Sequence, residues 1–188
     1  DNEHSLFVLD TSTPSIKSDV AFAGKLKALY PHSFVVLVGT HPSACAEETL
    51  GYSDAVDAVA IGEYDCIMNE LANVLDAGKD LREVRGLCFW DGKEFVRTAP
   101  MPPMKNLDDL PFASQFIKEH LNERDYFFAA ATYPSIQIFT GRGCPFRCNF
   151  CVYPQTMHGH AFRARSAENV VAEFESVSYT HLRAHETT

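Results

Sequence analysis

Three apolar segments, each followed by a polar loop and a helical pattern, dominate the first 80 residues. They predict strands at 6–9, 34–38 and 56–61. The middle segment, Phe34-Val35-Val36-Leu37-Val38, is apolar at every position, which is typical of a strand buried on both faces of a parallel sheet. Strands that alternate with helices predict an α/β fold with a doubly wound, Rossmann-like parallel sheet.

A loop of small and polar residues follows each predicted strand. Because open parallel sheets bind ligands beyond the carboxyl ends of their strands, these loops are candidates for contact with a large, flat ligand. Turn formation and helix capping explain the same residues equally well. His41 is interpreted as a loop residue in preference to a metal ligand. The candidate residues are Thr11, Ser12, Thr13, Pro14, Gly39, Thr40, His41, Gly62 and Glu63.

Helical patterns connect the predicted strands. The first is expected from Lys17 to about Tyr30, with Phe22, Leu26 and Leu29 spaced to face the core. Others are expected around 44–50 and from residue 66 to about 77. The dipeptide at 91–92, Asp-Gly, lies between two strand-like runs and predicts a β-hairpin over 85–98.

Cys45, Cys66 and Cys88 have no cysteine neighbour at a spacing that suits a shared metal. Each is therefore interpreted as a small, buried, apolar residue.

The chain changes character after the hairpin. A proline-rich segment at 99–103 and an acidic one at 106–111 predict a boundary. The expected organisation is a sheet domain over 1–98, a linker with a bridging helix over 99–134, and a second domain that begins over 135–177. Residues 178–188 break the helical pattern and are interpreted as a non-native tail.

The second domain is predicted to begin with a strand at 135–140 and a long loop. A helix capped by Ser166 is expected next, with Val170, Val171 and Phe174 as its buried stripe. Arg163 and Arg165, just before this helix, could bind a carboxylate, and solvated surface charges are the ordinary alternative.

Three closely spaced cysteines lie in the loop: Cys144, Cys148 and Cys151. Three thiolates are one fewer than the four that ordinarily hold an iron–sulfur cluster, which would leave one iron open. A zinc site with His158 or His160 as fourth ligand is the main alternative. It is less favoured, because structural zinc prefers paired C-x2-C knuckles or other sets of four protein ligands.

The C-x3-C-x2-C spacing, with Phe150 just before the last cysteine, resembles the signature of radical S-adenosylmethionine (SAM) enzymes. Residues 152–160 and 163–166 resemble the branch of these enzymes that carries an N-terminal cobalamin-binding domain. That branch includes radical methyltransferases, the anaerobic magnesium-protoporphyrin ester cyclase and hopanoid-modifying enzymes. The resemblance extends to about Glu175.

The resemblance implies a [4Fe-4S] cluster held by the three cysteines of the loop. SAM would bind the open iron and be cleaved to a 5′-deoxyadenosyl radical, with an electron from a donor such as flavodoxin or ferredoxin. Phe150, Tyr153 and Gln155 would lie on the SAM side, and the nine loop residues named above would contact cobalamin. His158 and His160 could also face the cofactors. For these two histidines, Tyr153 and Gln155, a role in bracing the long loop is an equally open alternative. The implied reaction is methylation, or carbon–carbon bond formation or rearrangement, at an unactivated carbon of a small molecule.

Two alternatives stay open. The chain contains no Asp-x-His-x-x-Gly motif for a histidine ligand to cobalt, so a radical SAM enzyme without functional cobalamin is one of them. The other is a non-catalytic sensor that binds a corrinoid or a cluster. The resemblance also implies that the first sheet strand and five barrel units are absent, so the chain alone is expected to be inactive and poorly stable.

The composition of the chain limits its possible binding partners and its cellular compartment. A net charge of −9 without a basic stripe argues against nucleic acid as the main partner. No apolar run approaches the ~20 residues that a transmembrane helix needs. Six cysteines without a visible signal peptide are consistent with a reducing cytoplasm.

Overall fold

The structure is a computed structural model that describes residues 6–126, 129, 133 and 135–181. Its contacts divide the chain into two compact units. The first unit comprises Asp1–Met104 and Gly143–Ala161, and the second comprises Lys105–Arg142 and Phe162–Thr188. The domain boundaries expected at 98, 134 and 177 stay a prediction.

A five-stranded sheet forms the centre of the first unit, with its strands in the order of the chain. The first three strands are parallel, and the last two form an antiparallel hairpin. The Rossmann-like α/β class and the hairpin are thus confirmed. The strands are β1 (Leu6–Asp10), β2 (Phe34–Val38), β3 (Ala58–Ala60), β4 (Leu87–Trp90) and β5 (Phe95–Arg97).

Strand β2 is buried on both faces, as its apolar sequence predicts. Val35 and Leu37 belong to one hydrophobic cluster, and Val36 and Val38 belong to another. Because successive side chains of a strand point to opposite faces, each cluster covers one face of the sheet.

Helices cover both faces of the sheet. Residues of α1 (Ile16–Leu29) and α3 (Ala46–Leu50) pack in the cluster that contains Leu37. Residues of α4 (Tyr64–Asp76) pack in the cluster that contains Val36. The single helix expected around 44–50 is in fact two short helices, α2 (Thr40–Ala44) and α3, which are separated at residue 45.

The buried face predicted for α1 is wrong in two of its three residues. Leu26 is buried, but Phe22 is 49% exposed and Leu29 is 73% exposed. The buried positions of this helix are Ile16, Val20, Ala23 and Leu26. An alanine at the centre of this face lets the helix backbone lie close to the sheet, so the larger Phe22 lies on the outside.

The isolated cysteines are not all buried. Cys88 is buried in β4, but Cys45 and Cys66 are only half-buried, so the prediction is wrong for these two. Each lies where a helix begins, at the start of α3 and in the first turn of α4, and a helix end is more open to solvent than the sheet core.

The second unit contains α5 (Ala113–His120), α6 (Ala167–His181) and a two-stranded ribbon of β6 (Gly141–Arg142) and β7 (Arg163–Ala164). The strand predicted at 135–140 is wrong, because none of these residues pairs in a strand ladder. Alternation of apolar and polar residues favours an extended backbone, but a strand also requires a partner.

Helix α6 begins as predicted, since the Ser166 hydroxyl accepts a hydrogen bond from the Asn169 backbone N–H (3.1 Å). Its predicted apolar stripe is wrong. Val171 and Phe174 are each 53% exposed, whereas Glu173 is buried. Glu173 can be buried because it forms an ion pair with Arg165. The helix continues through His181, so the expected break at 178 is also wrong for four residues; 182–188 lie outside the described residues.

In the part of the chain that the structure describes, no helix combines the length and the apolar character that crossing a membrane would require.

Candidate cofactor site

The cysteine loop, residues 143–161, is closed at its base by hydrogen bonds to Cys144. The Cys144 backbone N–H donates to the Gly159 carbonyl (3.1 Å). The Cys144 carbonyl lies 3.1 Å from the Nδ1 atom of His160. The backbone N–H and the backbone carbonyl of Cys144 are therefore both bonded to residues 159–160, across the loop.

Gly143 allows the two ends of the loop to approach closely. Its φ of +86° is in the region that favours glycine, and a Cβ there would lie directly against the Ala161 carbonyl. Any other residue would combine a strained backbone with a steric clash. Gly143 is therefore a requirement of the loop conformation.

All three cysteines of the loop are free thiols. Cys144 and Cys151 are half-buried and Cys148 is exposed, and the Cys151 backbone N–H donates to the Cys148 carbonyl (3.2 Å) in a tight turn. Among the described residues, no three side chains of His, Cys, Asp or Glu are gathered as a group that could hold a metal ion. The donor chemistry nevertheless fits a thiolate-ligated cluster, because three unpaired thiols lie on one short loop within the same unit.

The segment after the cysteines packs against the sheet's polar loops. Residues 154–158 form a single π-helical turn, a rare element that occurs frequently at functional sites. The Met157 sulfur lies 3.7 Å from the Ser43 hydroxyl oxygen, and the His158 Nδ1 atom lies 3.7 Å from a Glu63 carboxylate oxygen. The cysteine loop thus lies at the carboxyl end of the parallel strands.

Ser43 connects three loops of this edge, and the sequence reasoning missed it. Its hydroxyl donates to the Gly39 carbonyl (2.7 Å) and accepts from the Gly62 backbone N–H (3.0 Å), besides its contact with Met157. The available signal was a small hydroxyl residue four positions after Gly39, the glycine that follows β2. Its bonding partners, however, are distant in sequence.

The first candidate cofactor loop is largely bonded to itself. Thr11 is buried and its hydroxyl donates to the Asp19 carboxylate. Ser12 donates its backbone N–H to the Ser15 hydroxyl (3.1 Å). Thr13 and Pro14 are exposed.

The second and third candidate loops meet the first at the sheet edge. His41 is buried, its Nδ1 atom lies 3.1 Å from the Thr13 hydroxyl, and its ring stacks on Tyr52. Gly39 packs directly on Thr11, with a φ of +106°. Glu63 is buried, whereas Thr40 and Gly62 are half-buried. The structure therefore gathers the nine predicted residues, although Thr11, Gly39, His41 and Glu63 present little surface.

The side chains predicted on the SAM side are exposed. Phe150 is 88% exposed and Tyr153 is 57% exposed, and Gln155 is exposed as well. Tyr153 stacks on His158, with 6.4 Å between ring centroids. Apolar surface of this kind, beside free thiols, is available for a partner molecule.

Asp10 brings a perturbed carboxyl group to the same edge. Desolvation raises its pKa, and the hydrogen bond from the Tyr64 hydroxyl (3.4 Å) opposes this shift only in part. The nearby Asp19 carboxylate raises the pKa further.

Comparison with known proteins gives related sequences and folds, while no family model matches the chain. An uncharacterized methyltransferase of Pyrococcus horikoshii is 30% identical over 91% of this chain and 36% of its own length. The anaerobic magnesium-protoporphyrin IX monomethyl ester cyclase of Cereibacter sphaeroides is 27% identical over 90% of this chain and 27% of its own length. The chain thus spans about a third of these relatives.

Two solved structures have a similar fold. The radical SAM methyltransferase TsrM of Kitasatospora setae, solved with tryptophan and a SAM analogue, matches with a TM-score of 0.65 and 20% identity, over 93% of this chain and 35% of its own. The cobalamin-dependent SAM radical enzyme OxsB, solved with aqua-cobalamin and SAM, matches with a TM-score of 0.68 and 18% identity, over 95% of this chain and 24% of its own.

Proposed function

Since the chain is a relative of the radical SAM enzymes that carry an N-terminal cobalamin-binding domain, as its motifs predicted, we propose that it forms part of an enzyme of this kind. The proposed activity is cleavage of SAM with a [4Fe-4S] cluster. The reaction on the small-molecule substrate would be methylation, or carbon–carbon bond formation or rearrangement, at an unactivated carbon.

One observation carries the proposal: the loop with three free cysteines packs on the carboxyl end of a Rossmann-like parallel sheet. Met157 and His158, which follow the cysteines, contact Ser43 and Glu63 of the sheet's polar loops. Ligands of such sheets bind at this edge, so a ligand bound there would lie beside the cysteine loop.

In this proposal Cys144, Cys148 and Cys151 hold the cluster. When bound, the cluster supplies an electron for SAM cleavage, and the protein supplies position and exclusion of water. The exposed rings of Phe150 and Tyr153 would pack on SAM, with Gln155 as a polar contact.

The nine loop residues have unequal roles in this proposal. Thr13, Pro14 and Thr40 present accessible surface for direct contact with cobalamin. The buried members, such as Thr11 and His41, would instead hold the loops in shape. No residue of this edge is proposed as a cobalt ligand.

A radical SAM enzyme without functional cobalamin is the second candidate. It is favoured by the internal bonding of this edge, where the π-helical turn at 154–158 contacts Ser43 and Glu63. In that case the sheet serves as a scaffold for the cysteine loop.

An external reductant and a reducing compartment complete the proposal. A cluster of this type requires an electron donor such as flavodoxin or ferredoxin. The free cysteines suit the cytoplasm, where thiols stay reduced.

Anaerobic reconstitution with iron and sulfide tests the cluster assignment. We expect about four iron and four sulfide per chain, in agreement with a [4Fe-4S] centre. Cys148→Ala should reduce this content sharply, whereas Cys66→Ala, which removes a thiol outside the loop, should leave it unchanged. Equal iron content in both variants, or zinc in place of iron, would overturn the assignment.

Incubation with hydroxocobalamin, followed by desalting, separates the two candidates. Retained corrinoid absorbance near one equivalent per chain supports the cobalamin-dependent enzyme. A colourless protein that still binds the cluster supports the second candidate.

A further inference from the structure

The side chain of His160 bonds to a backbone group of Cys144, a predicted cluster ligand. Its Nδ1 atom lies 3.1 Å from the Cys144 carbonyl, and the side chain is half-buried. A carbonyl oxygen can only accept a hydrogen bond, so the Nδ1 atom must carry the proton. The ring is therefore a donor to Cys144 in either the neutral or the charged form.

This bond acts together with a second contact on the same residue. The Cys144 N–H donates to the carbonyl of Gly159, the neighbour of His160. Gly143 lies against Ala161, on the other side of His160. Residues 159–161 therefore form a support on which the backbone of Cys144 rests.

Orientation of the Cys144 peptide decides where its thiol points. The Cα–Cβ bond is rigidly attached to the backbone, so rotation of the Cys144 peptide would move the sulfur relative to Cys148 and Cys151. The backbone bond to Gly159 fixes the N–H side of Cys144. The His160 ring fixes the carbonyl side.

We propose that His160 is a positioning residue for the cluster, because it fixes the Cys144 backbone and so limits where the thiolate can lie when the cluster assembles. This inference rests on the proposed function, since it assumes that Cys144 is a cluster ligand. Partners that orient metal ligands in this way typically change metal affinity by about 10- to 100-fold when they are removed.

Two variants test whether the hydrogen bond to the Cys144 carbonyl is required, or only a polar side chain at position 160. His160→Asn places an amide N–H as many bonds from the backbone as Nδ1, so it can keep the bond to the Cys144 carbonyl. His160→Gln places its amide one bond further out, at the position of Nε2, and should lose it. His32→Gln, at an exposed histidine of the same unit, is the matched control.

The measurement is the rate at which an iron chelator removes the reconstituted cluster from each protein. We expect His160→Asn and His32→Gln to stay within about twofold of the wild type, and His160→Gln to release iron about 10-fold faster. Far-UV circular dichroism and thermal unfolding should be unchanged in all three variants, because a partly exposed side chain contributes little to the fold. Equal release rates for His160→Gln and His160→Asn would overturn the inference alone, while a wild-type chain that binds no cluster would overturn the proposed function with it.

Discussion

A buried ion pair between Arg165 and Glu173 should control the stability of the second unit. The side chains are 4% and 3% exposed. Glu173 also accepts a hydrogen bond from the Ser114 hydroxyl (2.9 Å), and Arg165 donates to the Phe139 carbonyl (3.0 Å). The pair thus joins α5, α6 and the segment before β6.

Removal of one partner is expected to be costly. Glu173→Ala leaves the Arg165 charge buried without its carboxylate, which typically costs about 3–5 kcal/mol. It also leaves the Ser114 hydroxyl without its acceptor, at a further cost of about 1 kcal/mol. Since whole domains are stable by only about 5–15 kcal/mol, this change should unfold much of the second unit.

Replacement of both partners should be far less harmful. Arg165→Met with Glu173→Leu removes both charges and fills their space beside the Phe112 ring, which lies 5.5 Å from the guanidinium carbon. We expect this double variant to recover most of the lost stability, because well-packed apolar residues often replace a buried pair without cost.

Urea unfolding, followed by far-UV circular dichroism, measures both effects on the whole chain. Glu47→Ala is the matched control, since Glu47 pairs with Arg97 at 51% exposure of each side chain and should change stability by about 0–1 kcal/mol. A loss below about 1 kcal/mol for Glu173→Ala, or equal losses for the single and double variants, would refute the reasoning.

Three further predictions follow from local geometry. Gly39→Ala places a Cβ against the Asp10 carboxylate at a φ of +106°, so its urea midpoint should fall sharply; an unchanged midpoint would contradict the packing. Because the pKa of Asp10 is raised, its protonated form stabilises the folded chain below pH 3.8, and this stability is lost as the pH rises through the pKa of the folded state. Asp10→Asn should therefore increase the free energy of unfolding more at pH 7 than at pH 3. An equal change at both pH values would argue against this prediction. Burial raises the pKa of the Cys88 thiol, so iodoacetamide at pH 8 should label exposed Cys148 first and Cys88 last by mass spectrometry; early labelling of Cys88 would show that β4 is open.

Local sequence signals were sufficient where a pattern and its structural cause lie close together. The apolar run of β2 predicted burial on both faces, and Asp91-Gly92 predicted the hairpin of β4 and β5. The residues that form these patterns are adjacent in the chain, so strand geometry and turn chemistry suffice to interpret them.

Helix faces were predicted less well, because the partner of a helix determines which face is buried. In α1 the small Ala23 packs on the sheet while Phe22 is exposed. In α6 the buried residue is Glu173, a charge that no hydrophobic pattern would place inside. Carboxylate binding was one of two interpretations of its partner, Arg165, and the carboxylate that it binds belongs to the same chain.

The sequence identified the residues of the candidate site, but it did not predict the contacts between them. The spacing of the cysteines and the loops after the strands could be read directly. The contacts of Ser43 with Met157 and of Glu63 with His158 join positions about a hundred residues apart, and no local pattern contains them.

Electron paramagnetic resonance of the reconstituted and reduced chain, with and without SAM, tests the central claim most directly. We expect a cluster signal that SAM perturbs, because SAM would bind the iron that the cysteines leave open, and no such signal from Cys148→Ala. A cluster signal that is unchanged by SAM and equally strong in Cys148→Ala would contradict the assignment of an open iron to this loop.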